Sequence, residues 1–271
     1  MLNLDNKLFC PNDTFRDAVI DILCSGLFVQ ARTPLREVYN KMADNLNCVG
    51  ADLIYPMSAG MLNQEIDSAR ISRDSKIYAG HDLPVWLGNP FGARHLMILS
   101  QDPRRNDNEM NGKEIGLSTP FGVHSLDWRS SYGLLVALAD NLIKSLEERG
   151  KSLSVYFTDV YKLRGVDPLK GQGGEKSKTD KPNKERYIDI LKREIGLFQP
   201  DVILTLGSEA DIILQKIGIN NTVGVPHPSG SANGKWGKVL KEWGKELKGK
   251  PCTDQNKILY ICEKLLPELS K

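Results

Sequence analysis

The sequence predicts an α/β fold: a three-layer α/β/α sandwich around a central, mainly parallel four-stranded sheet, preceded by a helical N-terminal segment. Three observations carry this. One is a short apolar run, His95-Leu96-Met97-Ile98-Leu99, that ends abruptly in Ser100-Gln101-Asp102-Pro103. Consecutive hydrophobics bounded by turn chemistry suit a strand buried on both faces. Pro103 cannot donate to a ladder, so Gln101 and Asp102 fall at the carboxyl end of that strand. The second is that such runs alternate with helical periodicity from residue 95 onward, which implies parallel βαβ units. The third is placement: the polar residues collect where these strands end, the edge at which open α/β sheets bind ligands.

Residues 1–80 read as mainly helical, a segment packed on the core of the 81–271 domain in one compact unit. Asp13 or Thr14 can cap a helix bearing Phe15, Val19, Ile20, Ile22 and Leu23 on one broad side. Thr33-Pro34 starts a second, with proline in the first turn and Leu35, Val38, Tyr39, Met42 and Leu46 at helical spacing. The stretch 50–90 is irregular, with Pro56, Pro84 and Pro90, and suits either a long connection or small strands.

After the first strand come a polar loop, Arg104 to Lys113, and the segment Gly116-Leu117-Ser118-Thr119-Pro120-Phe121-Gly122. A helix follows, burying Leu134, Leu135, Leu138, Ile143 and Leu146. Leu153–Val160 is rich in β-branched and aromatic residues and reads as the second strand. A helix around Glu185–Phe198 leads to a third strand within Asp201–Gly207. Ser208 is then placed to cap a helix, with Asp211 as a weak capping box. A fourth strand runs to Val225, just before Pro226-His227-Pro228-Ser229. Gly165–Asn183, poor in apolar residues, reads as a mobile loop.

No apolar run approaches the roughly 18 residues needed to cross a bilayer, and the first residues lack the layout of a secretory signal. An intracellular, cytoplasmic protein without a membrane partner is expected. The five cysteines (Cys10, Cys24, Cys48, Cys252, Cys262) are widely spaced with no C-x-x-C pair, against a zinc site or a disulfide scaffold. Net charge is only +2, but it is unevenly spread. Lys162–Arg193 holds ten Lys/Arg against five Asp/Glu, and Ser231–Lys250 six Lys against two Glu. Two basic segments flanking the active edge suit a phosphate backbone; each alone equally suits a solvated surface.

The strand ends thus deliver Gln101-Asp102-Pro103, Asp159 and His227-Pro228-Ser229, with Phe121 in the intervening loop. A carboxylate, an aromatic face, a hydrogen-bonding group and an imidazole in one crevice suit a flat heterocycle whose glycosidic bond is cleaved. The carboxylate positions water and offsets charge growing on the sugar, while the imidazole stabilises the departing base.

This set resembles the uracil-DNA glycosylase superfamily. The family's Gly-Gln-Asp-Pro-Tyr motif is similar to Ser100-Gln101-Asp102-Pro103-Arg104, and its Gly-x-x-Phe segment to Gly116–Phe121. Its His-Pro-Ser motif is intact as His227-Pro228-Ser229. Tyr156–Lys162 resembles the Thr-Asn-Val-Val-Lys strand of the iron–sulfur branch, and Phe198–Gly207 that branch's penultimate strand. The resemblance implies a monofunctional DNA glycosylase of base excision repair, hydrolysing uracil or a related deaminated or damaged base. It implies Asp102 as the water-directing carboxylate and His227 as the stabiliser of the leaving base. Gln101, Phe121 and Asp159 would bind the base, and Ser118, Ser229, Ser231 and Lys235 the DNA.

Three departures sharpen the expectation. Asp159 stands where the family commonly has the asparagine that reads uracil; an ionised carboxylate accepts only and repels uracil O4. Arg104 stands where the best-known branch has a tyrosine that blocks thymine. The loop after His-Pro-Ser, Gly230-Ser231-Ala232-Asn233, lacks the usual leucine wedge, which favours single-stranded or mismatched DNA. The cysteines do not match the cluster-bearing branch, so no metal or cofactor is expected, and a monomer is. Asp159 and the absent wedge also suit an alternative, a fold kept for binding single-stranded nucleic acid without catalysis.

Overall fold

The computed structural model describes residues 13–28, 35–40, 53–58, 77–88, 92–101, 114–123, 132–166, 183–244 and 252–271. The expected four parallel strands are β6 (Leu153–Asp159), β4 (Arg94–Ser100), β8 (Val202–Leu206) and β9 (Thr222–Val225), side by side in that order. The sheet gains a fifth, antiparallel strand, β3 (Val85–Gly88), on the β6 edge. The four-strand expectation is corrected to five: Val85-Trp86-Leu87-Gly88 is too short and too close to Pro84 and Pro90 to announce itself. In β4, Leu96, Met97, Ile98 and Leu99 are all fully buried, as a central strand covered on both faces requires.

Helices form the outer layers: α1 (Asp13–Gly26), α2 (Tyr132–Glu147), α3 (Lys184–Phe198), α4 (Ser208–Lys216), α5 (Asn233–Trp243) and α6 (Asp254–Ser270). α1 packs on α3, and α2 on α6. Val19, Ile20 and Leu23 of α1 are fully buried, each contributing about 1.5–3 kcal/mol. The two helices meet closely, since a Cβ on Gly26 would lie 2.6 Å from Cγ1 of Ile190. Arg186 of α3 closes the end of α1 by donating to the carbonyls of Ser25 and Gly26, both at 3.1 Å. A guanidinium at a helix C-terminus satisfies orphan acceptors and complements the dipole.

Residues 35–40 are helical, but β1 (Leu53–Ser58) and β2 (Ile77–Asp82) are strands, so the helical description of 1–80 is corrected there. They join β5 (Glu114–Ser118) and β7 (Leu163–Val166) in a second sheet, ordered β1-β5-β2-β7. The sequence masks this sheet because its members are short and come from four distant segments. Gly165 and Val166, placed in the expected mobile loop, belong to β7; 167–182 and the polar loop 104–113 lie outside the described residues. A further correction concerns α4. Gly207, at φ 95°, is its N-cap and Ser208 its first residue, with no side-chain cap. Asp211 instead accepts from Thr205 Oγ1 at 3.4 Å and from Gln215 Nε2 at 2.9 Å.

Strand alternation sorts the core. Tyr156 and Thr158 of β6 face the α1/α3 layer, where Tyr156 stacks on Phe198 with centroids 5.0 Å apart and Phe15 meets Trp86 edge-on at 4.9 Å. The next residue, Asp159, faces the opposite layer together with Ser100, its partner in register.

Candidate active site

The ladder between β4 and β6 runs past the strand ends. Val160 N donates to Ser100 O at 3.0 Å and Tyr161 N to Gln101 O at 2.9 Å. These bonds carry the pairing of Ser100 with Asp159 one residue further, to Gln101, at the carboxyl edge of the sheet. Asp159 is buried, and its Oδ1 accepts from the Ser100 hydroxyl. Gln101 is half-buried.

Phe121 lies in a short 3₁₀ turn, Pro120–Gly122, that packs against β6. Its backbone is left-handed, φ 60° and ψ 7°, which a non-glycine residue adopts only when the surroundings over-determine it. Here β5 feeds in from one side, Pro120 limits the preceding backbone, and the ring is nearly enclosed at 6% exposure. Such local strain is a mark of functional sites more than of ordinary turns.

His227 arrives from β9, whose end is fixed by the bond from Gly207 N to Val225 O, 2.8 Å. Its imidazole sits beside the Phe121 ring, centroids 5.6 Å apart and planes 34° from parallel. Residues more than a hundred positions apart in the chain are thus brought together. Ser229 N donates to His227 Nδ1 at 3.2 Å, and the Ser229 hydroxyl lies 2.8 Å from the same nitrogen. Ser231 Oγ is 2.8 Å from Ser229 Oγ. Because an amide N–H can only donate, Nδ1 is an acceptor, and a neutral ring carries its proton on Nε2. Trp236, fully buried in α5, donates Nε1–H to the His227 carbonyl at 3.0 Å and fixes the main chain from behind.

A sequence model described as the Uracil DNA glycosylase superfamily matches residues 85–248. The chain belongs to the uracil-DNA glycosylase superfamily. The match runs from β3 past α5, so it contains the whole central sheet and the loops just described, while α1, β1, β2 and α6 lie outside it. At the family level this supports a DNA glycosylase-type hydrolase with DNA as its partner. No curated protein matches the chain significantly.

Of the residues assigned roles by resemblance to the superfamily, Gln101 and Asp159 lie at adjacent strand ends, one residue out of register, and Phe121, His227, Ser229 and Ser231 form a linked group. Asp102 lies outside the described residues, one position beyond Gln101, as do Arg104 and His124. Ser118 is the last residue of β5, paired with Asp82 of β2. Lys235 is exposed in the first turn of α5, with Lys238 and Lys241 exposed further along while Trp236 and Leu240 point inward. The His-Pro-Ser motif is therefore followed directly by a basic helix face.

Two histidines outside the motifs are built into the scaffold. His95 Nδ1 lies 2.8 Å from the Phe198 carbonyl and its ring stacks on Phe198 at 5.0 Å. His81 is buried, Nδ1 2.6 Å from the Lys162 carbonyl. Sequence reasoning missed Ser100, Trp236 and the ion pair of Lys162 with Glu194. Ser100 carried a signal, since register places it opposite Asp159; Trp236 carried none beyond its size and apolarity. Lys162 Nζ lies 2.5 Å from Glu194 Oε2 and 2.6 Å from Thr158 Oγ1, with both charged side chains fully buried. Burial pushes the Glu194 carboxyl above its ordinary range, against the pull of Lys162, Thr158 and Tyr156.

Proposed function

We propose that this superfamily member hydrolyses the N-glycosidic bond of uracil or a related deaminated base in DNA. The observation that carries the reading is the acceptor role forced on His227 Nδ1 by the Ser229 amide, with the Phe121 ring 5.6 Å away. In the neutral ring that amide leaves Nε2–H as the donor for an oxygen of a base, where negative charge grows as the base departs. A fixed donor of this kind costs no reorganisation when the charge appears. Phe121 offers a face on which a heterocycle stacks, a sequence-tolerant contact worth about 1–3 kcal/mol per base. Gln101 offers main-chain contacts to the base, and Asp102 is assigned the positioning of water and the offsetting of positive charge on the sugar. Ser118, Ser229, Ser231 and Lys235 are assigned to DNA phosphates. The matched lysine, Lys162, is fully buried and paired with Glu194, so a Schiff-base lyase step is not part of the proposal. Single-stranded or mismatched DNA is the favoured substrate, and the monomer the working unit.

The test is release of free base from a single-stranded uracil oligonucleotide, with Asp102→Asn and His227→Ala as controls. Equal signal from wild type and both variants defeats the catalytic assignment. Asp159 supports a second reading, binding without catalysis, because the position that would read uracil carries a side chain already engaged by Ser100. Tight binding of single-stranded DNA with no product from uracil, thymine, hypoxanthine, xanthine or ethenocytosine would favour that reading.

A further inference from the structure

We infer that Lys257, in the C-terminal helix beyond the family match, is a positioning residue for the His227-Pro228-Ser229 loop. The inference rests, for its kinetic part only, on the glycosylase reading above. Lys257 is buried, at 3% exposure. Its Nζ donates to the Pro228 carbonyl at 3.2 Å and to Asn233 Oδ1 at 3.1 Å. The ammonium also lies 5.9 Å from the centre of the Trp236 ring, and Trp236 holds the His227 carbonyl. Two successive carbonyls of the motif are therefore gripped, one from α5 and one from α6. Cys252, just ahead of α6, donates Sγ–H to the Asn233 carbonyl at 3.3 Å, so the far end of the loop is tied to the same segment.

The placement of this cation is costly on general grounds. It is desolvated, and it stands in the first turn of α6, whose N-terminus is the positive end of the helix dipole. Among the described residues the carboxylate paired with it is Asp254 Oδ1, 3.7 Å away on a largely exposed side chain, a weak offset. What the ammonium gains is a charge-assisted bond to a main-chain carbonyl within the motif. A methionine of similar shape would fill the space without the cost, so the charge is explained by the loop it holds. The loop needs holding because the Ser229 amide must stay on His227 Nδ1 to keep the proton on Nε2.

The test compares full-length wild type, Lys257→Met and Asn233→Ala, each checked for a cooperative melt. In folded Lys257→Met the Ser229 amide should exchange with solvent about tenfold faster or more. The imidazole nitrogen resonances of His227 should move from the pure Nε2–H tautomer toward a mixture. In single- and multiple-turnover release from a uracil oligonucleotide, kcat should fall about tenfold with KM within about threefold. Asn233→Ala removes one acceptor and should shift the same observables in the same direction by less, and it carries the test if Lys257→Met does not fold. Unchanged Ser229 exchange and His227 resonances in a folded variant overturn the inference, as does a rise in KM at constant kcat. If the loop signals move as stated while wild type releases no base, the glycosylase reading fails and the clamp stands.

Discussion

The main-chain N–H of Ser229 donates to Nδ1 of His227 at 3.2 Å, and that bond decides which nitrogen of the neutral ring holds the proton. The hydroxyls of Ser229 and Ser231 extend the same chain outward. Removing the ring and removing one hydroxyl should therefore differ sharply. His227→Ala should lower base release about 10²–10³-fold, the range for loss of one preorganised donor. Ser229→Ala keeps the amide and the tautomer and should lose about tenfold or less. Single-turnover release measures both, and an unaltered imidazole nitrogen spectrum in Ser229→Ala checks the amide's role.

Asp159→Asn should raise uracil excision, by about tenfold. Ser100 donates to Oδ1 of Asp159, an acceptor that asparagine retains. The change replaces the second carboxylate oxygen with an amide nitrogen, a donor that suits uracil O4 where a carboxylate repels it. Release should be compared on uracil and on bases that present an exocyclic amino group. A fall on uracil together with preference for the amino-bearing base would show that the carboxylate is matched to a different substrate.

The parts of this fold legible in the sequence were those with long, uniform patterns. β4 and β6 announced themselves because every residue from Leu96 to Leu99 and from Leu153 to Asp159 is buried, which leaves runs dominated by apolar and β-branched residues. The site was legible to the extent that chemistry gathers at strand ends, as Gln101, Asp159 and His227 do. β3 and the second sheet were not, because a four-residue strand between prolines and strands of four to six residues paired across distant segments leave no periodic trace. Trp236 and Lys257 were also hidden. They act on main-chain carbonyls, and a sequence carries no mark of which side chain meets which carbonyl.

Phe121→Leu should preserve the fold while weakening the substrate complex. Leucine keeps much of the buried volume and meets the same left-handed backbone at φ 60°, so the strain is unchanged. It lacks a π-face, and base stacking is worth about 1–3 kcal/mol, so kcat/KM should fall about 5- to 150-fold. A calorimetric melt alongside the kinetics separates the two effects. A large loss of stability with kcat/KM unchanged would make the ring a core residue only.

The Lys162–Glu194 pair should be costly to break and less costly to replace. Lys162→Met alone leaves a buried carboxyl without its cation and should cost about 3–5 kcal/mol, whereas adding Glu194→Leu should recover part of that loss, the rest being the buried hydroxyls of Tyr156 and Thr158 left without their acceptor. The pH dependence follows from the direction of the Glu194 shift. Burial raises its carboxyl above the ordinary value of 4.5, so the folded state holds that proton longer than the unfolded chain does. Its contribution to stability is then fully present below the unfolded value and is lost as pH climbs through the raised folded value. The double variant lacks this loss. Its stability relative to wild type should therefore improve steadily as pH is raised from about 4.5 through the raised value, and level off beyond it. Urea melts of both proteins across that range measure the difference, and a gap that stays constant with pH would mean Glu194 titrates alike in both states.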